Sequence, residues 1–190
     1  MQRRGFSAIT VKAGRRAALC AALLLAPMLP AEVNGQSLSH EVAVGWVPDL
    51  RGLRHFSGLR CPDTIGSASR TKVLAADMGR MAGCVYAARG DMTAVLRQHR
   101  PGTGHAVARE HLKAYRLAGF EKVDKTGIAA GGISFKTRPW NQEEPRCETL
   151  WYFEGANADY SLWLSYPAPE REDDLVWLVN GFRHALAALQ

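Results

Sequence analysis

The sequence lacks most of the signatures that announce chemistry. Its four cysteines never fall in Cys-x-x-Cys spacing, and none of its six histidines forms a His-x-x-x-His pair. That pair would place two imidazoles on one helical face, so a structural zinc site and a thioredoxin-type redox centre are not expected. His105 and His111 are six apart and do not share a face. There is no Gly-x-Ser-x-Gly elbow, which argues against an α/β-hydrolase nucleophile. Paired carboxylates are equally unpromising, since Glu143 and Glu144 fall in a loop and Asp173 and Asp174 open a helix. No catalytic residue, metal or cofactor is expected. Long apolar runs are also missing. The unbroken run Ala17–Ala26 is about half the roughly twenty residues a spanning helix needs.

That short run has a purpose of its own. Arg3, Arg4, Lys12, Arg15 and Arg16 precede it, and Pro27 and Pro30 follow it. A basic n-region, an apolar h-region and small residues beyond are the pattern of a cleavable signal peptide, here residues 1–35. Cleavage after Gly35 fits best, and after Ala31 less well. Ala17 and Leu19 do not suit lipidation of Cys20. Arg3-Arg4-Gly5-Phe6 matches the core of a twin-arginine signal, but Ser7 and Ala8 depart from it, so the ordinary Sec route is preferred. The mature protein is expected in the periplasm or secreted, with no transmembrane segment.

Removing the leader changes the charge argument. Its five basic residues and one acidic residue, taken from the chain's 24 and 18, leave 19 and 17, a net of +2. The basicity belongs mostly to the leader, and nucleic acid is not an expected partner. The remaining ~155 residues suit one domain with a substantial core, expected to be a monomer. Of the three mature cysteines one pair should be oxidised. Cys61–Cys84 is the expected disulfide, closing a loop worth about 3.5 kcal/mol in the chain-entropy model. Cys147 would then be a buried thiol on the face shared with Thr149 and Trp151, although the other two pairings stay open.

The C-terminal stretch reads most clearly. Cys147–Glu154 and Tyr160–Tyr166 flank a Gly-Ala-Asn-Ala-Asp break, a strand–turn–strand signal. Leu175, Leu178, Val179, Phe182, Leu186 and Leu189 then recur at helical spacing, with acidic residues first and Arg183 and His184 near the end. Upstream, Ala82–Ala88 and Met92–His99 form a hairpin whose Gly90-Asp91 centre supplies positive φ. Thr103 is the expected N-cap of a helix from about Gly104 to Ala118, closed by Gly119. Phe120–Lys125 and Ile133–Arg138 complete an antiparallel meander. Residues 36–52 read as a polar tether or edge strand, Leu53–Pro62 as one short strand, and Asp63–Gly79 has no clean periodicity. In Leu150-Trp151-Tyr152-Phe153 both alternating faces are apolar, so that strand should be covered on both sides. The fold class is α+β: about six antiparallel strands, as two hairpins and a meander, carry a mid-chain helix and a C-terminal amphipathic helix in one domain over 53–190.

This element order is similar to the PsbP-like fold superfamily, where a hairpin, a helix, an antiparallel meander and a C-terminal amphipathic helix follow one another over about Leu53–Gln190 here. The resemblance implies an exported or accessory binding protein without chemistry of its own.

Two polar or aromatic features remain. Gly102, Thr103 and Gly104 open a helix with Arg97, Arg100 and Arg109 near it, a candidate site for a phosphate, sulfate or carboxylate. An ordinary cap and a solvated helix face would explain the same residues. Trp140, framed by two prolines, and Trp177, off the apolar stripe of its helix, are candidate partner-binding residues. The expected function is therefore that of a periplasmic accessory or interaction protein, bound to an unknown protein or envelope partner. The competing expectation is a small-ligand protein, or an enzyme without a familiar motif, using a groove on the aromatic sheet face.

Overall fold

The described residues form two antiparallel sheets and two α-helices. The computed structural model describes residues 45–76, 81–137, 145–168 and 172–188. Three short strands, β1 (Trp46–Asp49), β2 (Gly52–His55) and β3 (Arg60–Pro62), make a small sheet in sequence order. The large sheet begins with β4 (Thr64–Ile65), β5 (Ala68–Leu74), β6 (Gly83–Ala88) and β7 (Met92–His99). After helix α1 (Gly104–Leu117) come β8 (Glu121–Val123), a 3-10 turn over Gly127–Gly131, β9 (Ile133–Thr137), β10 (Arg146–Phe153) and β11 (Asp159–Pro167). Helix α2 (Glu172–Ala187) ends the described chain. The spatial order of the large sheet is β4-β5-β6-β7-β11-β10-β9-β8.

The α+β class, the two helices and the meander are as the sequence implied, but eleven strands among the described residues replace about six. Leu53–Pro62 is two strands with a turn between them, and 63–74 holds two more. These strands run two to seven residues, too short or too solvent-facing for a period of two to stand out. Of the segment read as a tether or edge strand, Trp46–Asp49 is β1 at the edge of the small sheet, and 36–44 lies outside the described residues.

Strand register fixes which residues share a face. Cys84 and Tyr86 of β6 pair with Leu96 and Ala94 of β7, which pair with Leu162 and Leu164 of β11, which pair with Trp151 and Thr149 of β10. All eight are buried. This face is covered by α2, the 3-10 turn and the small sheet. Phe182 of α2 packs edge-on against Tyr86 at 5.3 Å, and the Trp151 indole N–H donates to the Ile128 carbonyl at 3.1 Å. The disulfide Cys61–Cys84 joins β3 to β6, and Cys147 is buried and free.

The opposite face is covered by α1 over β9, β10 and β11. Its C-terminal end is closed by Gly119 at φ +81°, with Gly119 N–H donating to Arg116 O and Phe120 N–H to Tyr115 O. Those two bonds and the Tyr115–Phe120 ring contact make a Schellman motif. The hairpin β6–β7 turns with Gly90 at φ +70° and Asp91 at φ +56°, the left-handed pair a tight turn requires. Buried Arg146 ties that turn to β10, donating to the Asp91 carboxylate and carbonyl at 2.6 Å each and to Ser165 Oγ at 3.0 Å.

Leu175, Leu178, Val179, Phe182 and Leu186 form the buried stripe of α2, while Trp177 is 77% exposed. Phe182→Ala should therefore cost about 3–5 kcal/mol, out of a total of about 5–15 kcal/mol for such a domain. Trp177→Ala should leave the melting temperature almost unchanged. Thermal melts of the two variants check this, and a Phe182→Ala protein melting with wild type would contradict the packing.

Candidate functional site

Five polar or concave features can be compared as sites. The first is the start of α1, where Thr103 occupies the N-cap position but makes no side-chain cap bond. Its hydroxyl instead donates to the Arg100 carbonyl at 2.7 Å. The Gly104 amide donates to Asp159 Oδ2 at 3.1 Å, from a carboxylate 55 residues away and 2% exposed. Burial would raise the Asp159 pKa, but the neighbouring Tyr152 hydroxyl and the Gly104, Gly155 and Thr103 amides outweigh it and leave it lowered. The amides expected to receive an external anion are thus met by the chain's own carboxylate. Of the arginines placed with them, Arg97 donates to the Met81 carbonyl at 3.1 Å, and Arg100 and Arg109 are exposed. Gly102 has φ +73° with open space around it.

Beneath this helix start lies a serine–histidine pair the sequence did not suggest. His99 Nε2 and Ser161 Oγ are 2.7 Å apart across β7 and β11, and Asp159 is the register partner of His99. The residue types are those of a catalytic triad, but the carboxylate serves α1, and His99 and Ser161 are only 8% and 7% exposed. A nucleophile must reach its substrate, so the arrangement reads as cross-strand structural bonding. Burial holds His99 below the usual imidazole range, the Arg97 guanidinium adds to this, and Asp159 partly offsets it.

Two further polar clusters are also consumed internally. Glu148 accepts hydrogen bonds from Tyr115, from Trp163 Nε1 at 3.2 Å and from Thr137 at 3.2 Å, which occupies both of its oxygens. Ser57 donates to Gln98 Oε1 at 2.5 Å, Gln98 Nε2 returns to the Ser57 carbonyl at 3.2 Å, and His55 Nδ1 lies 2.8 Å from Ser57 Oγ. Both clusters hold one covering layer to the large sheet. Among the described residues no group of three or more His, Cys, Asp or Glu side chains could hold a metal ion, and no helix is long and apolar enough to cross a membrane.

The fifth feature is concave and open. A cleft of about 900 Å3 runs between the β1–β2 hairpin, the β3–β4 segment and the last turns of α2. Leu53, Pro62, Ile65 and Ala185 give it apolar walls, and Arg51, Arg60, Asp63 and His184 lie at its edges. Gly181 permits the close approach of α2 to β4, because a Cβ there would sit 3.2 Å from the Ile65 side chain. The Cys61–Cys84 bond, the one sequence-derived pair of site residues that the structure brings together covalently, pins the hairpin side. On the aromatic sheet face, Tyr86, Trp151, Tyr160 and Tyr166 are buried in the core, while Tyr152 and Phe153 line a smaller cleft with Arg183. Trp177 lines neither this cleft nor the smaller one beside Phe153 and Arg183, and Trp140 lies outside the described residues. No protein-family model, curated protein or solved structure matches this chain.

Two outcomes follow from the α1 anchor and the buried histidines. A Cβ on Gly104 would overlap the Tyr152 ring, so Gly104→Ala should be strongly destabilising while Gly102→Ala should cost far less. Paired denaturant melts test this. His55, His99 and His111 all have folded pKa values lowered by burial. Their neutral forms favour the fold, so stability is full above the unfolded value of about 6.5 and is lost as pH falls through the folded values. Each contributes a slope of up to about 1.4 kcal/mol per pH unit in that window. The melting temperature should fall between pH 7 and 5, and less steeply in His99→Gln; a flat profile would contradict it.

Proposed function

We propose that the protein is an exported, non-catalytic accessory domain that binds an extended, largely apolar segment of a partner in the cleft between the β1–β2 hairpin and α2. The observation that carries this reading is the shape of that cleft, about 900 Å3 with apolar walls and charged edges. Apolar concavity provides area, and sparse polar groups at the rim fix orientation. No Ser or Cys lines it, and the His99–Ser161 pair is buried beneath α1. The basic leader and short apolar run support export, and the PsbP-like order of elements agrees with an accessory role. The cleft volume also suits a small ligand, which gives the second reading.

A photo-crosslinking residue at Ala185, on the cleft wall, separates the possibilities. In the native exported fraction it should capture a protein partner, and Ala188→Trp, which fills the cleft, should abolish capture. The same crosslinker at Leu117, 78% exposed at the far end of α1, should capture nothing. Native mass spectrometry showing a bound small molecule without any crosslink would favour the second reading. Equal capture from both positions, or protein that keeps Met1 and stays in the cytoplasm, would overturn the proposal.

A further inference from the structure

The small sheet has an outward face as well as the inward one that carries Cys61 and His55. Register places Val47 beside Arg54 and Arg54 beside Arg60 on that outer side. The β1–β2 turn adds Leu50 and Arg51 at one end, and Phe56 follows β2 at the other. Leu50 is 101% exposed, Phe56 77% and Val47 46%, against an ordinary preference for burying such side chains. Arg51, Arg54 and Arg60 are all exposed. Asp49, the one carboxylate within Gly45–Pro62, meets Arg60 at 3.5 Å. Arg51 and Arg54 meet no carboxylate among the described residues. Three large apolar side chains with a surplus of arginines therefore share one small surface.

We infer that this face docks onto an anionic lipid bilayer, with Leu50, Val47 and Phe56 entering the interface and Arg51 and Arg54 at the headgroups. Charge complementarity selects an anionic partner. Size then selects a membrane over an acidic protein. Three strands about 4.8 Å apart and a few residues long, at about 3.4 Å each, offer only a few hundred Å2. A stable protein interface needs about 800 Å2 from each partner. A bilayer has no such minimum, because apolar insertion and headgroup attraction each add residue by residue. Arginine suits the boundary, since its stem packs on apolar surface while the guanidinium reaches phosphate. This inference goes beyond the cleft reading: Leu50, Arg51 and Arg60 also border the cleft, but Val47, Arg54 and Phe56 do not line it.

The test uses the full chain with phosphatidylcholine vesicles, with and without phosphatidylglycerol. The basic leader is present in every sample, so differences between variants report on the sheet. Binding should require phosphatidylglycerol and weaken at high salt. Arg54→Gln should weaken it about fivefold, the factor for one basic residue near an anionic surface, and Phe56→Ser should weaken it further. Arg109→Gln, on exposed α1, should change it little. A Leu50→Cys protein carrying an environment-sensitive fluorophore should shift to the blue on the anionic vesicles, and a Leu117→Cys one should not. Ala185→Trp, which obstructs the cleft, should leave vesicle binding intact, so the two readings fail separately. Equal losses from Arg54→Gln and Arg109→Gln, an unshifted Leu50 probe, or binding to acidic protein but not to vesicles would each overturn the inference.

Discussion

The pairing of β7 with β11 is the constraint on which the rest of this structure depends. Seven residue pairs, from Asp159↔His99 to Ser165↔Thr93, join strands about sixty residues apart in the chain. Without that seam β4–β7 and β8–β11 are two separate four-stranded meanders, each with one face of apolar side chains in water. With it, Ala94, Leu96, Leu162 and Leu164 form the centre of one continuous buried surface. Such a long-range contact must overcome chain-closure entropy before it returns any burial. The polar groups at its end are placed accordingly: His99 bonds Ser161 across the seam, and Asp159 holds the first amide of α1.

Everything else attaches to one face or the other of that sheet. Helix α1 is fixed at its start by Asp159 and near its end by the bond from Tyr115 to Glu148. Helix α2 is fixed by its apolar stripe and by Arg183 over the Phe153 ring. The small sheet is a thin covering layer that could not stand alone in water. It is held by the Cys61–Cys84 bond, by Tyr86 donating to the Pro62 carbonyl at 3.1 Å, and by the Ser57–Gln98 bonds. Because the small sheet is pinned from below and leaves space beside α2, the molecule has a cleft beside the hairpin, and Leu50, Arg51 and Arg60 at its border lead on to the exposed Val47, Arg54 and Phe56. Among the described residues, Asp159, His99, Ser161, Glu148 and Gln98 all bond between strands or layers.

The sequence revealed what is locally encoded. The α2 stripe, the Gly119 stop, the Gly90-Asp91 turn and the β8–β11 meander each depend on neighbours within a few residues, and each stands where its pattern implies. The Leu150–Phe153 run also told correctly of covering on both faces, which α1 and α2 supply. What stayed hidden depends on distant residues or on very short strands. Asp159 as the partner of the α1 amides, across 55 residues, leaves no trace in spacing, so Gly102-Thr103-Gly104 looked open to an external anion. The His99–Ser161 contact is invisible for the same reason. The cleft escaped because its walls come from strands of two to four residues, which carry no period to read.

Amide hydrogen exchange of the native protein tests the central claim most directly. If the β7–β11 seam makes one sheet of two halves, amides bonded across it should be among the slowest in the chain and should exchange only through global unfolding. Their opening free energy should then equal the equilibrium stability from denaturant melts. The contradicting result is seam amides that open at lower free energy than those within the β6–β7 and β10–β11 hairpins. The two meanders would then be independent units, and the layers built across them would not depend on that pairing.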